Sequence, residues 1–230
     1  MREIVLDTET TGFDPESGDR IVEIGGVELH NHVATGRTYH QYINPERPMP
    51  EEAFAIHGLS DEFLADQLVM NDVAESFLEF IGDAKLVIHN AAFDVKFLNA
   101  ELRWSKRPQL PRDCAIDTLE IARRKFPGSP ASLDALCRRF GIDNSSRTLH
   151  GALLDSEILA EVYLELIGGK QPDLVLTPAG QKSGPDSAGA DDWRPQRRAV
   201  ALPSRLSEEE KAAHAAFVEK LGANALWTRG

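Results

Sequence analysis

Four carboxylates and one histidine are the residues of this 230-residue chain whose types could do chemistry together: Asp7, Glu9, Asp94, Asp155 and His150. Carboxylate oxygens suit Mg²⁺ or Mn²⁺, whereas zinc prefers sulfur and nitrogen ligands. Two such ions about 4 Å apart can bind the attacking and leaving oxygens of a phosphoryl displacement. The residue types therefore indicate metal-assisted phosphodiester chemistry, provided that the fold brings the five side chains together.

The first two carboxylates belong to a predicted strand. Ile4–Leu6 is a short apolar run that continues into the segment Asp7–Gly12. Residues two apart on a strand leave the same face, so Asp7 and Glu9 project together. Neighbouring carboxylates repel each other unless a cation lies between them. A turn that carries acids without any function fits the segment as well, so this pair alone does not decide.

Asp94 lies in a predicted helix that starts after Asn90, the expected N-cap, and ends near Trp104. It precedes Phe97 and Leu98 by three and four residues, which puts it close to the apolar stripe of that helix. An acid in the first turn is also favoured by the helix macrodipole. Asp94 could therefore be a metal ligand or simply a helix-start residue.

Asp155 falls inside the apolar stripe of the longest predicted helix, residues 148–167. The stripe is expected at Leu149, Ala152, Leu159, Val162, Tyr163, Leu166 and Ile167. An unpaired carboxylate is costly to bury, so Asp155 needs either a metal or a buried salt bridge.

His150 is harder to place by helical geometry. It precedes Asp155 by five residues, about 140° round an ideal helix, so the two side chains do not share a face. They converge only if His150 lies in a loose first turn, near a Thr148 cap. A surface histidine at a helix start is the alternative.

The other predicted elements must position these residues. A polar stretch, His30–Gly36, separates two strands of a predicted hairpin, and the elements that follow alternate between helices and short strands. They are the strands Ile21–Leu29, Arg37–Ile43, 86–88 and 115–116, and the helices 71–81, 118–126 and 131–140. This order predicts an α/β fold with one mixed five-stranded sheet flanked by helices.

The composition changes after residue 176. Residues 177–204 contain four prolines and three glycines, which predicts a flexible linker. Ser207–Glu210 then has the form of a capping box that opens a helix ending near Leu221, before Gly222. An isolated helix of this length is marginally stable in water, so we expect it to dock on another surface.

The composition limits which partners and which redox compartment are expected. The net charge of −12 argues by itself against a nucleic-acid binder, but the acids are concentrated before residue 96 and a basic stretch follows over residues 96–139. No apolar run approaches the roughly 18 residues that span a bilayer, and we expect no membrane partner. Cys114 and Cys137 have no metal-type spacing, so free thiols in a reducing cytoplasm are expected.

Three segments together resemble the exonuclease motifs of the DEDDh nuclease family. They are Asp7–Gly12, His89–Asp94, and His150 followed by Asp155, and Ile56–Leu59 and Asp117 also match the proofreading branch. The resemblance covers residues 1–168, is strongest to the proofreading epsilon subunits of bacterial DNA polymerase III, and shows no departure at a catalytic position. It implies an RNase H-like sheet and a 3′→5′ exonuclease that releases nucleoside monophosphates from a DNA primer end.

The resemblance also implies roles for the five residues. Asp7 would bridge two Mg²⁺ or Mn²⁺ ions, Glu9 and Asp155 would complete the first site, and Asp94 would support the second. His150 would be the general base that deprotonates the attacking water, a task suited to its ordinary pKa of about 6.5.

Further contacts follow from the same resemblance. The terminal nucleotide would contact Thr10, Thr11, Ile56, His57 and Asn90, although His57 could be a turn residue and Asn90 only a helix cap. The sliding clamp would bind Gln171, Leu174 and Leu176, although a glutamine followed by aliphatic residues also fits ordinary chain packing. The polymerase catalytic subunit would bind Leu206, Phe217, Leu221 and Trp227. The expected organisation is an exonuclease domain over residues 1–176, a linker over 177–204 and a polymerase-binding segment over 205–230.

Two other functions remain open from the sequence. The catalytic residues equally suit an exoribonuclease of the same superfamily that trims RNA 3′ ends. The linker and the terminal helix favour the polymerase subunit, because a stand-alone trimming enzyme has no need of them. A scaffold subunit with a vestigial site is the second alternative, and nothing in the sequence favours it, since every acid is present.

Overall fold

A computed structural model describes residues 1–111, 113–168 and 206–221 of the chain. The chain divides into two units, Met1–Val175 and Leu176–Gly230. The described part of the first unit contains the sheet, seven α-helices and a 3₁₀ turn, and that of the second contains one helix. The linker predicted over residues 177–204 lies outside the described residues.

The sheet of the first unit has five strands in the order β3-β2-β1-β4-β5. Antiparallel pairs join β1 to β2 and β2 to β3, whereas β1, β4 and β5 run parallel. The strands are β1 Arg2–Thr10, β2 Ile21–His30, β3 Val33–Tyr42, β4 Lys85–Ile88 and β5 Ala115–Asp117. The predicted mixed five-stranded sheet is confirmed.

The hairpin between β2 and β3 is tighter than predicted. The polar stretch His30–Gly36 predicts a longer separator between the strands, but β3 already begins at Val33. Only Asn31 and His32 form the turn, and both have positive φ angles, 51° and 65°. Two residues in this conformation match the right-handed twist of the flanking strands, which is why so short a connection suffices.

Helices cover both faces of the sheet. They are α1 Glu51–His57, α2 Asp61–Ala65, α3 Met70–Ile81, α4 Ala91–Trp104, α5 Thr118–Lys125, α6 Leu133–Phe140 and α7 Ala152–Leu166, with a 3₁₀ turn at Pro15–Ser17. Neither α1 nor α2 is predicted from the sequence. Alternation along β1 separates the two layers: Ile4 and Leu6 pack in the core under α3 and α4, whereas Val5 packs in the core under α7.

Helix α7 begins later than predicted. Its first residue is Ala152, after Gly151 as N-cap, so the predicted start at Thr148 was wrong. Leu149 and Ile167, placed in the apolar stripe by the sequence, are both more than a third exposed. The later start matters for the site, because the residues just before Gly151 are free of helical geometry.

Helix α8, Glu208–Leu221, is the described part of the second unit. Its predicted capping box is confirmed: Ser207 Oγ accepts from the Glu210 amide over 3.2 Å, and the Ser207 amide donates to Glu210 Oε2 over 2.8 Å. None of the helices in the described ranges is long and apolar enough to cross a membrane. Cys114 and Cys137, in the first unit, are buried free thiols.

Candidate active site

The carboxyl-terminal half of β1 supplies the first two acids. The parallel pairing with β4 aligns Val5 with Val87, and β1 continues to Thr10, well beyond the end of β4. Asp7 and Glu9 follow Val5 by two and four residues, so all three side chains leave β1 on the same face. Helix α7 covers that face. The predicted strand therefore presents both carboxylates toward α7.

Helix α7 approaches this face closely because of a glycine in β2. A Cβ at Gly25 would lie only 2.1 Å from the carbonyl carbon of Ala152 and 2.2 Å from the amide nitrogen of Leu153. Ser156 Oγ also donates to the Gly25 carbonyl over 3.0 Å. The first turn of α7 thus rests directly on the sheet backbone, which holds the buried Asp155 beside β1.

His150 joins the cluster from the loop that precedes α7. Its Nδ1 lies 3.7 Å from Asp155 Oδ2, and its amide donates to the Ile56 carbonyl over 3.1 Å. Ligand atoms of Glu9, His150 and Asp155 all lie within 4.8 Å of one another. The 140° separation expected on a helix does not apply, since α7 starts only after Gly151.

Asp94 reaches the cluster from the other layer. It lies buried in the first turn of α4, and it accepts a 2.7 Å hydrogen bond from Thr8 Oγ1. Thr8 faces the α4 layer because it alternates with Asp7 and Glu9 along β1. The acids therefore converge from both sides of the sheet at the end of one strand.

The start of α4 is capped differently from the prediction. Asn90 occupies the N-cap position, but it adopts a left-handed conformation, φ 68°, and its side chain makes no capping hydrogen bond. Asp117, at the end of the neighbouring β5, accepts from the amides of Asn90 and Ala91 over 3.1 Å each. The capping role predicted for the Asn90 side chain was wrong, and Asp117 fixes the helix instead.

Arg147 is a site residue that the sequence reasoning missed. Its side chain is only 10% exposed and donates to both carboxylate oxygens of Asp155, over 2.5 and 2.7 Å. It also contacts Asp134 Oδ1 at 3.1 Å and His150 Nδ1 at 3.1 Å. The buried salt bridge, one of the two alternatives predicted for Asp155, is therefore present. The signal in the sequence was an arginine three residues before His150, in a loop with no apolar stripe to mark it.

The acids raise one another's pKa values. Burial raises the pKa of Asp7 well above its ordinary range, and the charges of Asp94, Glu9 and Asp155 add to that effect. Burial, with the charge of Asp155 next, raises the pKa of Glu9 to about 8. Burial also raises the pKa of Asp94 to about 7, although the Thr8 hydrogen bond opposes it. A cation would relieve this repulsion.

The donor set fits a divalent metal. Glu9 Oε1 is buried and has no hydrogen-bond partner in the described part of the chain. An unpartnered carboxylate oxygen in the interior is unfavourable unless a cation compensates it. With oxygens of Asp7, Asp94 and Asp155 nearby, the site has the hard ligands that Mg²⁺ and Mn²⁺ prefer.

The cluster lines a cavity of about 890 Å³. The five predicted substrate contacts line it too: Thr10, Thr11, Ile56, His57 and Asn90. His57 is buried, and its Nδ1 accepts from the Leu59 amide over 3.1 Å, so its proton lies on Nε2. Phe13, which the sequence analysis did not select, also lines the cavity and is 80% exposed. The structure brings these residues together, and their contacts with substrate stay predictions.

The other predicted contacts belong to the second unit or fall outside the described residues. Leu206, Phe217 and Leu221 are exposed in the second unit. The clamp-binding candidates Gln171, Leu174 and Leu176, and the polymerase-binding candidate Trp227, fall outside the described ranges. Their assignments stay predictions.

Comparison with known proteins places this site in a family. The sequence model of the RNase T exonuclease family matches residues 4–163. DNA polymerase III subunit epsilon of Rickettsia prowazekii is 48% identical over 224 residues, which are 96% of this chain and 97% of the relative. The chain belongs to the epsilon-subunit family of exonucleases. The Escherichia coli epsilon subunit is 44% identical over 241 residues, 98% of this chain and 97% of that protein.

Solved structures support the same fold. Exonuclease X in complex with 5′ overhanging duplex DNA has a TM-score of 0.58 at 28% identity, over 72% of this chain and 90% of that one. The nuclease domain of 3′hExo, a DEDDh family member bound to rAMP, has a TM-score of 0.62 at 20% identity, over 72% and 91%. The expected RNase H-like architecture is thereby confirmed.

Proposed function

We propose that this chain is the proofreading subunit of a bacterial replicative DNA polymerase, a 3′→5′ exonuclease that removes mismatched nucleotides from a primer end. One observation carries the proposal: four carboxylates and His150 converge at the end of β1 in an open cavity. Relatives named epsilon subunit over almost the whole chain length supply the polymerase context. Action in the cytoplasm, at the replication machinery, is part of the same proposal.

The acids would hold two Mg²⁺ or Mn²⁺ ions. Asp7, Glu9 and Asp155 would hold the first ion, and Asp7 and Asp94 would hold the second. When bound, such ions stabilise the charge that develops on the attacking and leaving oxygens of the phosphodiester. Thr8 would keep Asp94 oriented, and Gly25 would let α7 hold Asp155 at the required distance.

His150 would accept the proton of the attacking water. Burial lowers the pKa of its imidazole, and the nearby Arg147 charge lowers it further. The ring is therefore neutral near pH 7, as a general base must be. Its side chain is 48% exposed toward solvent, while the backbone bond to Ile56 anchors the loop. Arg147 Nη2 lies 3.1 Å from Nδ1 and 3.3 Å from Nε2, so the ring must turn away from the guanidinium before one of its nitrogens can accept a proton from water.

The terminal nucleotide would lie across the rest of the cavity. His57 Nε2 is a buried donor with no hydrogen-bond partner within the described ranges, which suits a sugar or phosphate oxygen. The exposed ring of Phe13 offers a surface on which an unpaired base can stack, and the exposed side chain of Ile56 offers one against which it can pack. The hydroxyls of Thr10 and Thr11, which follow Glu9 directly, complete the proposed contacts.

The second unit would tether the nuclease to its partners. α8 presents Phe217 and Leu221 to solvent, and large exposed apolar groups supply much of the energy of protein interfaces. We propose that these residues, with Leu206 and Trp227, bind the polymerase catalytic subunit, and that Gln171–Leu176 binds the sliding clamp. Residues 1–176 would then be the nuclease domain, 177–204 the linker and 205–230 the polymerase-binding segment.

A matched pair of substrates tests the activity. The full chain should release mononucleotides from a labelled, mismatched DNA 3′ end in Mg²⁺, should act much more slowly on an RNA of the same sequence, and should stop in EDTA. Preference for RNA would favour the exoribonuclease alternative.

Removing residues 177–230 should preserve nuclease activity and abolish co-purification with the polymerase, so unchanged co-purification would refute the tether.

A further inference from the structure

Arg147 places a positive charge inside the site that is proposed to bind metal cations. Nε and Nη2 donate to the two carboxylate oxygens of Asp155, and Nη1 donates to Asp134. Asp155 is 4% exposed and Arg147 10%, so solvent screens this pair little. The guanidinium therefore occupies both oxygens that Asp155 could offer to a metal ion.

Asp134 offers the guanidinium a second place. This acid lies in the first turn of α6, lines the same cavity and has a side chain 44% exposed, far more than Asp155. Its Oδ1 also accepts from Nδ2 of the Asn144 side chain over 2.9 Å. An arginine that releases Asp155 thus keeps a carboxylate partner, and no unpaired charge is left in the interior.

We propose that Arg147 is the internal counter-ion of the cluster: it neutralises Asp155 when no metal is bound and yields at least one Asp155 oxygen when a metal binds. The inference rests on the proposed function, because it takes Asp155 as a metal ligand. Arg147 and the metal compete for one carboxylate and repel each other, so Arg147 weakens metal binding while it stabilises the metal-free protein. It acts through Asp155 and is a positioning residue.

Mn²⁺ binding to the full chain tests the inference without substrate. Free Mn²⁺ is measured by electron paramagnetic resonance during a titration, and thermal melts are recorded in EDTA and in saturating Mn²⁺. Arg147→Gln should bind Mn²⁺ about tenfold more tightly, as expected for removing a unit charge a few ångströms from the ion. Its melting temperature should fall in EDTA, and saturating Mn²⁺ should restore most of that loss. Arg147→Lys, which keeps the charge but not the paired donors, should lie between the two.

A matched control removes another arginine from another carboxylate. Arg107 pairs with Glu75 at 3.1 Å on the surface, and Arg107→Gln should leave Mn²⁺ affinity unchanged. Asp134→Asn tests the competition from the other side, because it leaves the guanidinium to Asp155 alone. Mn²⁺ affinity should then fall below that of the wild type, and the fall should shrink when Arg147→Gln is added.

The contrary results are distinct. Equal or weaker Mn²⁺ binding by Arg147→Gln, or a loss of melting temperature that is the same in EDTA and in Mn²⁺, would make Arg147 only a structural clamp. If Arg147→Gln does not fold, Asp134→Asn decides, since unchanged or tighter Mn²⁺ binding there overturns the inference. A wild-type protein that binds Mn²⁺ yet leaves DNA 3′ ends intact would contradict the proposed function instead.

Discussion

Gly25→Ala should damage the active site through a helix rather than through any catalytic group. The new Cβ would lie 2.1 Å from the backbone of Ala152, where ordinary contacts lie beyond 3.4 Å. The start of α7 must therefore retreat by more than about 1 Å, and Asp155 moves with it. Overpacking of this kind costs about 2 kcal/mol of stability, and an ångström of misplacement costs about 10²-fold in rate.

The neighbouring glycine provides the control for this prediction. A Cβ at Gly26 would meet side chains of the opposite layer, Phe80 Cε1 at 3.2 Å and Ile4 Cγ2 at 3.4 Å. Gly26→Ala should lower the melting temperature slightly and leave kcat within about twofold of wild type. The assay is release of a labelled nucleotide from a mismatched primer, beside thermal melts of both variants. A kcat for Gly25→Ala equal to that of Gly26→Ala would refute the positioning role of the α7 contact.

Three further predictions concern the cluster itself. In EDTA, the free energy of unfolding should fall by several kcal/mol as pH rises from about 5 to about 8, because the raised pKa values of Glu9 and Asp94 let the folded protein keep protons that the unfolded chain has released. Melts across this range test it, and saturating Mn²⁺ should remove the dependence. Thr8→Val should move the acidic limb of the kcat/KM profile to higher pH, because the Thr8 hydrogen bond lowers the pKa of Asp94 and its removal lets that pKa rise. An unmoved limb would show that Thr8 does not tune this acid. His150→Gln should reduce kcat by roughly 10²–10⁴-fold while Mn²⁺ still binds, and wild-type turnover would exclude His150 as the base.

The sheet was predictable because its strands carry strong local signals. Ile21–Leu29 is rich in β-branched residues and residues 86–88 form an apolar run, and the structure places strands there with bounds within one residue. α1 and α2 were missed because they are only seven and five residues long, and several of their apolar side chains are exposed, so no periodic stripe marks them.

The acids of the site could be predicted from the sequence, whereas most of the residues that position them could not. Strand alternation correctly paired Asp7 with Glu9, and the cost of burying Asp155 correctly required a partner. Helical geometry gave the wrong orientation for His150, because it assumed that the helix starts at Thr148. In the structure the helix starts at Ala152. Partners such as Arg147 and Asp117 act across long loops or between elements, and a single sequence holds no local pattern for such contacts.

The proposed function requires that the acids at the end of β1 hold the metal ions of a DNA 3′→5′ exonuclease. Asp7→Asn tests it most directly, because the amide keeps the shape of a carboxyl whose pKa burial already raises. Single-turnover release of the terminal nucleotide from a mismatched DNA primer should be rapid for the wild type in Mg²⁺ and absent in EDTA. The folded variant should be slower by at least about 10³-fold, on the scale of losing a principal catalytic group. Release by Asp7→Asn at the wild-type rate, or release that persists in EDTA, would contradict the account.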